Sequence, residues 1–116
     1  MDAVSEGKIT VAPGVLLDIV EQAALYSDGV VGMASIPARV DRIFRKVISG
    51  DGIELEIRGD SVIIDLYLIV RAVDLLSLSH RVQQEVIRAM DKLVGLKVDA
   101  VNVHIEDIAY PENEPV

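Results

Sequence analysis

Two segments with an apolar residue at every second position, separated by one turn, constrain the fold of this chain most. Residues 53–58 place Ile or Leu at every second position, and residues 62–70 continue the two-residue period. Because successive side chains of a strand point to opposite faces, both segments are predicted to be strands with one apolar face. Gly59-Asp60 lies between them and supplies turn residues. The two strands are therefore predicted to form a hairpin, and "RGDS" is interpreted as its turn rather than as an adhesion motif.

A helix and a final strand are predicted after the hairpin. The helix has an apolar stripe at helical spacing, formed by Leu75, Leu78, Val82, Val86, Met90 and Leu93. Asp74 suits its N-cap, and Gly95 suits the left-handed residue that commonly ends a helix. Val101, Val103 and Ile105 then alternate as in a strand, whereas Val98 is out of phase with them. A bulge is therefore predicted near Asp99-Ala100.

The first half of the chain has less regular patterns. Residues 8–11 read as a short strand, and Pro13 suits the first turn of a helix. That helix is predicted from Val15, Ile19, Ala23 and Tyr26, which recur at helical spacing with Leu16, Val20 and Ala24 beside them. A second strand is predicted over residues 30–36. Residues 40–48 have apolar side chains at helical spacing, which predicts a short amphipathic helix that ends at Gly50.

The resulting order of elements is β-α-β, a short helix, then β-β-α-β. This order predicts an α+β fold, a two-layer α/β sandwich with helices packed on one face of a mostly antiparallel mixed sheet. Its 116 residues fit a single domain. We expect that domain to span residues 7–110, with disordered termini at residues 1–6 and 111–116.

The composition of the chain limits which binding partners and which cellular compartment are expected for the protein. The net charge of −8 repels polyanions, so neither nucleic acid nor an anionic membrane surface is expected as a partner. The chain has no cysteine, which excludes disulfides and thiolate metal sites. It shows no signal peptide and no apolar run of the ~20 residues that a membrane span requires. We therefore expect a cytoplasmic protein without direct membrane insertion.

The polar residues do not form a recognisable catalytic or metal-binding pattern. His80 and His104 are the only imidazoles, and they lack the spacing that places two ligands on one face. His104 and the pair Glu54/Glu56 are expected on solvated strand faces. Asp65 interrupts an apolar strand and is expected to be a hydrogen-bonded structural residue. These patterns predict no catalytic residues, no metal and no cofactor, and hence a protein that is not an enzyme.

One charged feature departs from this background. Four of the eleven basic residues fall within eight positions, at Arg39, Arg42, Arg45 and Lys46. This basic segment is open to two interpretations: an ordinary solvated helix face, or a docking surface for an acidic partner or a second copy of the chain. We name these four residues as candidate partner-binding residues.

Several sequence blocks carry a resemblance to a known family. They are "GKITVAPGVLLDIVEQAAL", "DGVVGM", "VIIDLYLIV", "RVQQEV" and "VGLKVDAVNVHIEDI". From Gly7 to Ile108 the chain resembles the alkaline shock protein (Gls-type) family of the bacterial envelope stress response. The chain departs from the family pattern at Ala72-Val73, where members often have Tyr-Gly.

The resemblance implies a non-enzymatic cytoplasmic protein that associates with itself and with membrane-anchored partners during cell-envelope stress. The first hypothesis is therefore an interaction or scaffold domain, either a homo-oligomer, a partner of a membrane-anchored protein, or both. The alternative is a small-ligand-binding regulatory module with a cleft near Asp65, Tyr67 and the second helix. An enclosed pocket with convergent polar groups would favour the alternative, and a continuous apolar surface would favour the interaction domain.

Overall fold

A computed structural model describes residues 6–38 and 47–111 of the chain. Its elements, in chain order, are α1 (Pro13–Tyr26), β1 (Val30–Met33), β2 (Val47–Gly50), β3 (Ile53–Arg58), β4 (Ser61–Arg71), α2 (Leu75–Val94) and β5 (Lys97–Ala109). Both helices pack on one face of the five-stranded sheet. The α+β class and the two-layer architecture predicted from the sequence are confirmed.

The central strand β4 organises the sheet. Strand β5 pairs with it in parallel along its whole length, from Ser61↔Lys97 to Arg71↔Ala109. Strands β3 and β1 therefore share the other edge of β4, end to end, and both are antiparallel to it. Tyr67 marks the junction, because its N–H donates to Gly52 O (2.8 Å) and its carbonyl accepts from Ala34 N–H (2.7 Å). Strand β2 pairs antiparallel with β3 and completes the sheet.

The core lies between this sheet and the helices. It contains the apolar face of β4, with Val62, Ile64, Leu66, Leu68 and Val70 all 0–1% exposed. Helix α2 contributes Leu78, Val82, Val86 and Met90, and α1 contributes Val20, Ala23 and Ala24. The core side chains are aliphatic, as expected for a chain whose aromatic residues amount to 3%. Such a core is stabilised chiefly by burial of apolar area, at about 25 cal/mol per Å².

The predicted turns, caps and bulge are confirmed. The β3–β4 hairpin closes at Arg58↔Ser61 around Gly59. The Asp74 side chain accepts from the N–H groups of Leu76 and Ser77 at the start of α2. Gly95 ends that helix with φ +71°, in the left-handed region. The β4–β5 register skips Asp99, which places the expected bulge at that residue.

Several predicted elements and orientations are wrong. Residues 8–11 are not a strand, because none of the strands in residues 6–38 and 47–111 pairs with them. Residues 47–50 are strand β2 rather than the end of a helix: a short apolar run fits either period, and pairing with β3 decides its conformation. The apolar residues of α1 are divided between core and surface: Val20, Ala23 and Ala24 are buried, whereas Val15 is 49% and Tyr26 is 81% exposed. Leu93, predicted in the core, is 67% exposed at the end of α2.

Candidate functional site

A cluster of polar side chains lies on the sheet face opposite the helices. Asp65 and Tyr67 of β4 alternate with its core residues, and His104 of β5 and Glu54 of β3 are their neighbours across the sheet. His104 Nε2 lies 2.8 Å from Asp65 Oδ1. The imidazole also stacks on the Tyr67 ring, with centroids 4.5 Å apart and planes 12° apart. We call these four residues the carboxylate–histidine cluster.

Glu54 extends the cluster into the interior of the protein. Its side chain is 0% exposed, and its Oε1 accepts a hydrogen bond of 3.3 Å from the Tyr67 hydroxyl. The next outward-pointing residue of β3, Glu56, is half-buried and pairs with Arg58 Nε at 3.1 Å. The cluster therefore contains a buried carboxylate in addition to the Asp65–His104 pair.

The sequence predictions for these residues are partly confirmed. Asp65 is hydrogen-bonded and 6% exposed, as expected of a structural aspartate. The prediction of a solvated face is wrong for His104, which is half-buried, and for Glu54. Strand alternation identifies which side chains share a face, but it does not reveal whether that face is open to water.

The cluster does not line the cleft that the ligand-binding alternative requires. Asp65 and Tyr67 lie on the sheet face opposite α2. The prediction of a cleft that they form with that helix is therefore wrong. An open depression touches Asp65 and is lined by Glu56, Arg58, Ile63, Asp65 and Asn102, whereas Tyr67 does not contribute to it. Among the residues that the structure describes, His, Asp and Glu side chains do not converge in groups of three or more that could hold a metal ion.

An apolar groove runs between the two helices on the outer surface. It encloses about 490 Å³ and is lined by Asp18, Ile19, Gln22, Ala23, Leu25, Tyr26, Glu85, Ala89 and Leu93. Helix α1 contributes Ile19, Ala23 and Tyr26 from its helically spaced apolar row, together with Asp18, Gln22 and Leu25. The charged residues of the lining, Asp18 and Glu85, are both acidic. We call this surface the helix groove.

The helix groove is hard to predict from the sequence. Helix α1 is apolar around most of its circumference, so a 3.6-residue period does not determine which stripe faces the sheet. Small Ala23 and Ala24 allow close packing, and the larger Val15 and Tyr26 are left outside. Orienting α1 by side-chain size, with Ala23 and Ala24 toward the sheet, would have predicted that Val15 and Tyr26 are exposed.

The basic segment proposed as a docking surface lies outside the described residues. The Glu54/Glu56 strand face, which could have offered acidic groups to the basic segment of a second copy, has Glu54 fully buried and Glu56 paired with Arg58. Neither of the two helices in residues 6–38 and 47–111 is long and apolar enough to cross a membrane.

Comparison with known sequences gives a family match over nearly the whole chain. A family model for the alkaline shock proteins, described as having a "cell envelope-related function", matches residues 1–110. The uncharacterized protein YloU of Bacillus subtilis is 30% identical over 106 residues, covering 88% of each chain. The uncharacterized protein YqhY of the same organism is 29% identical, covering 90% of this chain and 78% of its own.

Solved structures with a similar fold carry the name MamM CTD. One variant aligns with a TM-score of 0.51 and 15% identity over 84% of this chain and 100% of its own. A copper form aligns with a TM-score of 0.50 and 13% identity over 89% of this chain and 91% of its own. At this level of identity the likeness concerns the fold alone.

Proposed function

This chain belongs to the alkaline shock protein family, which has a cell envelope-related function. From that membership we propose that the protein is a non-enzymatic interaction protein of the envelope stress response. In this proposal the protein is cytoplasmic. It associates with copies of itself and binds a membrane-anchored protein. The observation that supports it best is the helix groove, an apolar surface formed by both helices.

The groove has the composition of a protein-binding surface. Ile19, Ala23 and Ala89 form part of its apolar lining, and the exposed Tyr26 and Leu93 also line it. An amphipathic helix binds such a groove through apolar residues spaced three and four apart. A few large side chains near the centre of an interface, Tyr among them, commonly contribute most of the binding energy. The described surface therefore suits a helical segment of another protein better than it suits a small polar ligand.

Charge specifies the kind of segment that fits. Among the described residues, Asp18 is an acidic lining residue without an ion-pair partner, whereas Glu85 pairs with Arg88 at 3.1 Å. An apolar helix with Lys or Arg along its edge would therefore complement the rim. Cytoplasmic segments beside membrane spans are enriched in Lys and Arg. We assign the groove to such a juxtamembrane segment of a membrane-anchored partner.

Peptide binding tests this assignment. The probe is a synthetic amphipathic helix with Leu on one face and Lys at its edges, measured by fluorescence anisotropy against the purified protein. Leu93→Asp should weaken binding at least about tenfold, because it places a charge in the apolar contact. Leu76→Asp is the matched control: Leu76 is 68% exposed and Leu93 67%, but Leu76 does not line the groove. Equal affinities for the two variants would contradict the proposal.

A further inference from the structure

The outer edge of β5 is an open strand edge. The strand has 13 residues and pairs with β4 on one side, and no other strand of the described residues pairs with its second side. Its β4 register skips Asp99 and Glu106, so the six residues from Ala100 to Ile105 form a regular stretch between two irregular positions. An open, regular edge of this kind offers main-chain donors and acceptors to another strand.

The charges along β5 are opposite at its two ends. Lys97 begins the strand, and Glu106-Asp107 lie near its end; all three side chains are exposed. Within the described part of the chain, neither Lys97 nor Asp107 has an ion-pair partner. Asp99 is already engaged, because its Oδ2 accepts a hydrogen bond of 2.6 Å from the Ser61 hydroxyl. An antiparallel copy of the same strand would therefore bring Lys97 against the acidic pair, and would do so twice by symmetry.

The register of such a pair follows from side-chain direction. Directly opposed residues of two antiparallel strands lie on the same face, so a two-fold axis at Asn102 would place Val101 opposite the second copy's Val103. The same axis would place Lys97 level with Asp107. Both faces would then be continuous across the two molecules, apolar toward the helices and polar on the opposite side.

Helix α2 lies beside this edge and adds apolar area. The Gln83 amide donates to the Val101 carbonyl at 3.0 Å, so this one acceptor is already engaged, and a second strand would share it with Gln83 or displace the amide. Ile87, one turn farther along, is 44% exposed and lines a depression with Leu96 and Val98. A second copy added at the edge would cover these side chains.

We propose that a second copy of this chain binds the outer edge of β5, with the two β5 strands antiparallel around Asn102. The inference rests on the self-association included in the proposed function, and it assigns that association to a surface other than the helix groove. The product is a two-fold dimer with one continuous ten-stranded sheet. The charges at the two ends of β5 fix the register of the two paired strands. The strand edges supply main-chain hydrogen bonds, and Ile87 supplies apolar contact area.

A charge exchange tests the proposal. Sedimentation equilibrium is compared for the parent chain, Lys97→Glu, Asp107→Lys and the double variant. Each single change should raise the dimer Kd about tenfold, because it replaces two attractions by two repulsions, and the double variant should restore the parent value. A monomeric parent chain, unchanged single variants, or a double variant as weak as the singles would each overturn the proposal.

Cross-linking provides a second test that does not depend on charge. Because the chain lacks cysteine, Asn102→Cys introduces a single thiol at the proposed axis, and Asp60→Cys introduces one in the β3–β4 turn as control. Under mild oxidation the first variant should form a disulfide-linked dimer much faster than the second, because a disulfide requires Cα atoms within about 7 Å. Equal rates would overturn the proposal. Peptide binding at the helix groove should be unchanged in all these variants, which separates a failure here from a failure of the proposed function.

Discussion

His104 Nε2 lies 2.8 Å from Asp65 Oδ1 while the His104 ring stacks on Tyr67, so one imidazole ties together two residues of the central strand. The pair joins β5 to β4 through side chains on the face opposite the helices. Because Asp65 is 6% exposed, solvent competes little for this contact. The cluster therefore stabilises the sheet at the middle of the strand that we propose as a dimer edge.

A double-mutant cycle measures that contribution. Asp65→Ala, His104→Ala and the double variant are compared by urea denaturation at neutral pH. The coupling free energy should be about 1 kcal/mol, the usual net contribution of one hydrogen bond. The loss of Tyr67 stacking occurs in both variants that lack His104, so it cancels in the cycle. Additive effects of the two changes would show that the pair contributes nothing of its own.

Gly52 is predicted to be the least replaceable glycine of the turns. A Cβ at this position would lie 2.7 Å from Ala34 O, 2.8 Å from Met33 Cβ and 2.9 Å from Tyr67 O, where β1 and β3 meet β4. Gly59 is a matched control, since its φ of +60° is close to the +70° of Gly52 and it has open space around it. Gly52→Ala should cost at least about 2 kcal/mol more unfolding free energy than Gly59→Ala. Equal losses of unfolding free energy in the two variants would contradict the prediction, because the strand junction would then accommodate a Cβ without strain.

Gly95 tests backbone strain without crowding. Its φ is +71°, and a Cβ at this position would have no neighbouring atom within 4 Å. Gly95→Val should lower the free energy of unfolding by about 1–2 kcal/mol through the left-handed geometry alone. Gly95→Asn should cost less, because Asn adopts that geometry more readily. An unchanged melting temperature for the Val variant would contradict the left-handed helix end.

The cap of α2 should make stability depend on acid. The Ser77 N–H, with the Ser77 hydroxyl and the Leu76 N–H, holds the pKa of Asp74 below its usual value of 3.8. A lowered folded-state pKa means that the stabilisation is complete above pH 3.8 and is lost as the pH falls below it. Asp74→Ala should melt at a lower temperature at neutral pH. The melting temperature of Asp74→Asn should lack this part of the acid dependence, and an identical acid profile for Asn and the parent would contradict the assignment.

Local chemistry determines those parts of the fold that could be predicted from the sequence. The Asp74 cap, the Gly95 end of α2, the β3–β4 turn and the bulge at Asp99 each follow from a residue type at one position. The strand at residues 47–50 did not follow, because Val47 and Ile48 suit a helix and a strand alike and only pairing with β3 distinguishes them.

The candidate surfaces were harder to predict for a related reason. Helix α1 is apolar on nearly every side, so its exposed stripe depends on how closely Ala23 and Ala24 approach the sheet. The burial of Glu54 depends on what covers the sheet face opposite the helices. A two-residue period shows which side chains share that face, but not whether the face is covered. The basic segment remains a prediction of partner binding, and it lies outside the described residues.

Attachment of the protein to a membrane-anchored partner through the helix groove can be tested by membrane fractionation in the native host. The parent chain and the Leu93→Asp and Leu76→Asp variants are expressed at equal level, after circular dichroism has shown equal folding. The parent and Leu76→Asp should sediment with the membrane fraction, and Leu93→Asp should move to the soluble fraction. Retention of Leu93→Asp in the membrane fraction, or absence of the parent from it, would contradict the role assigned to the helix groove.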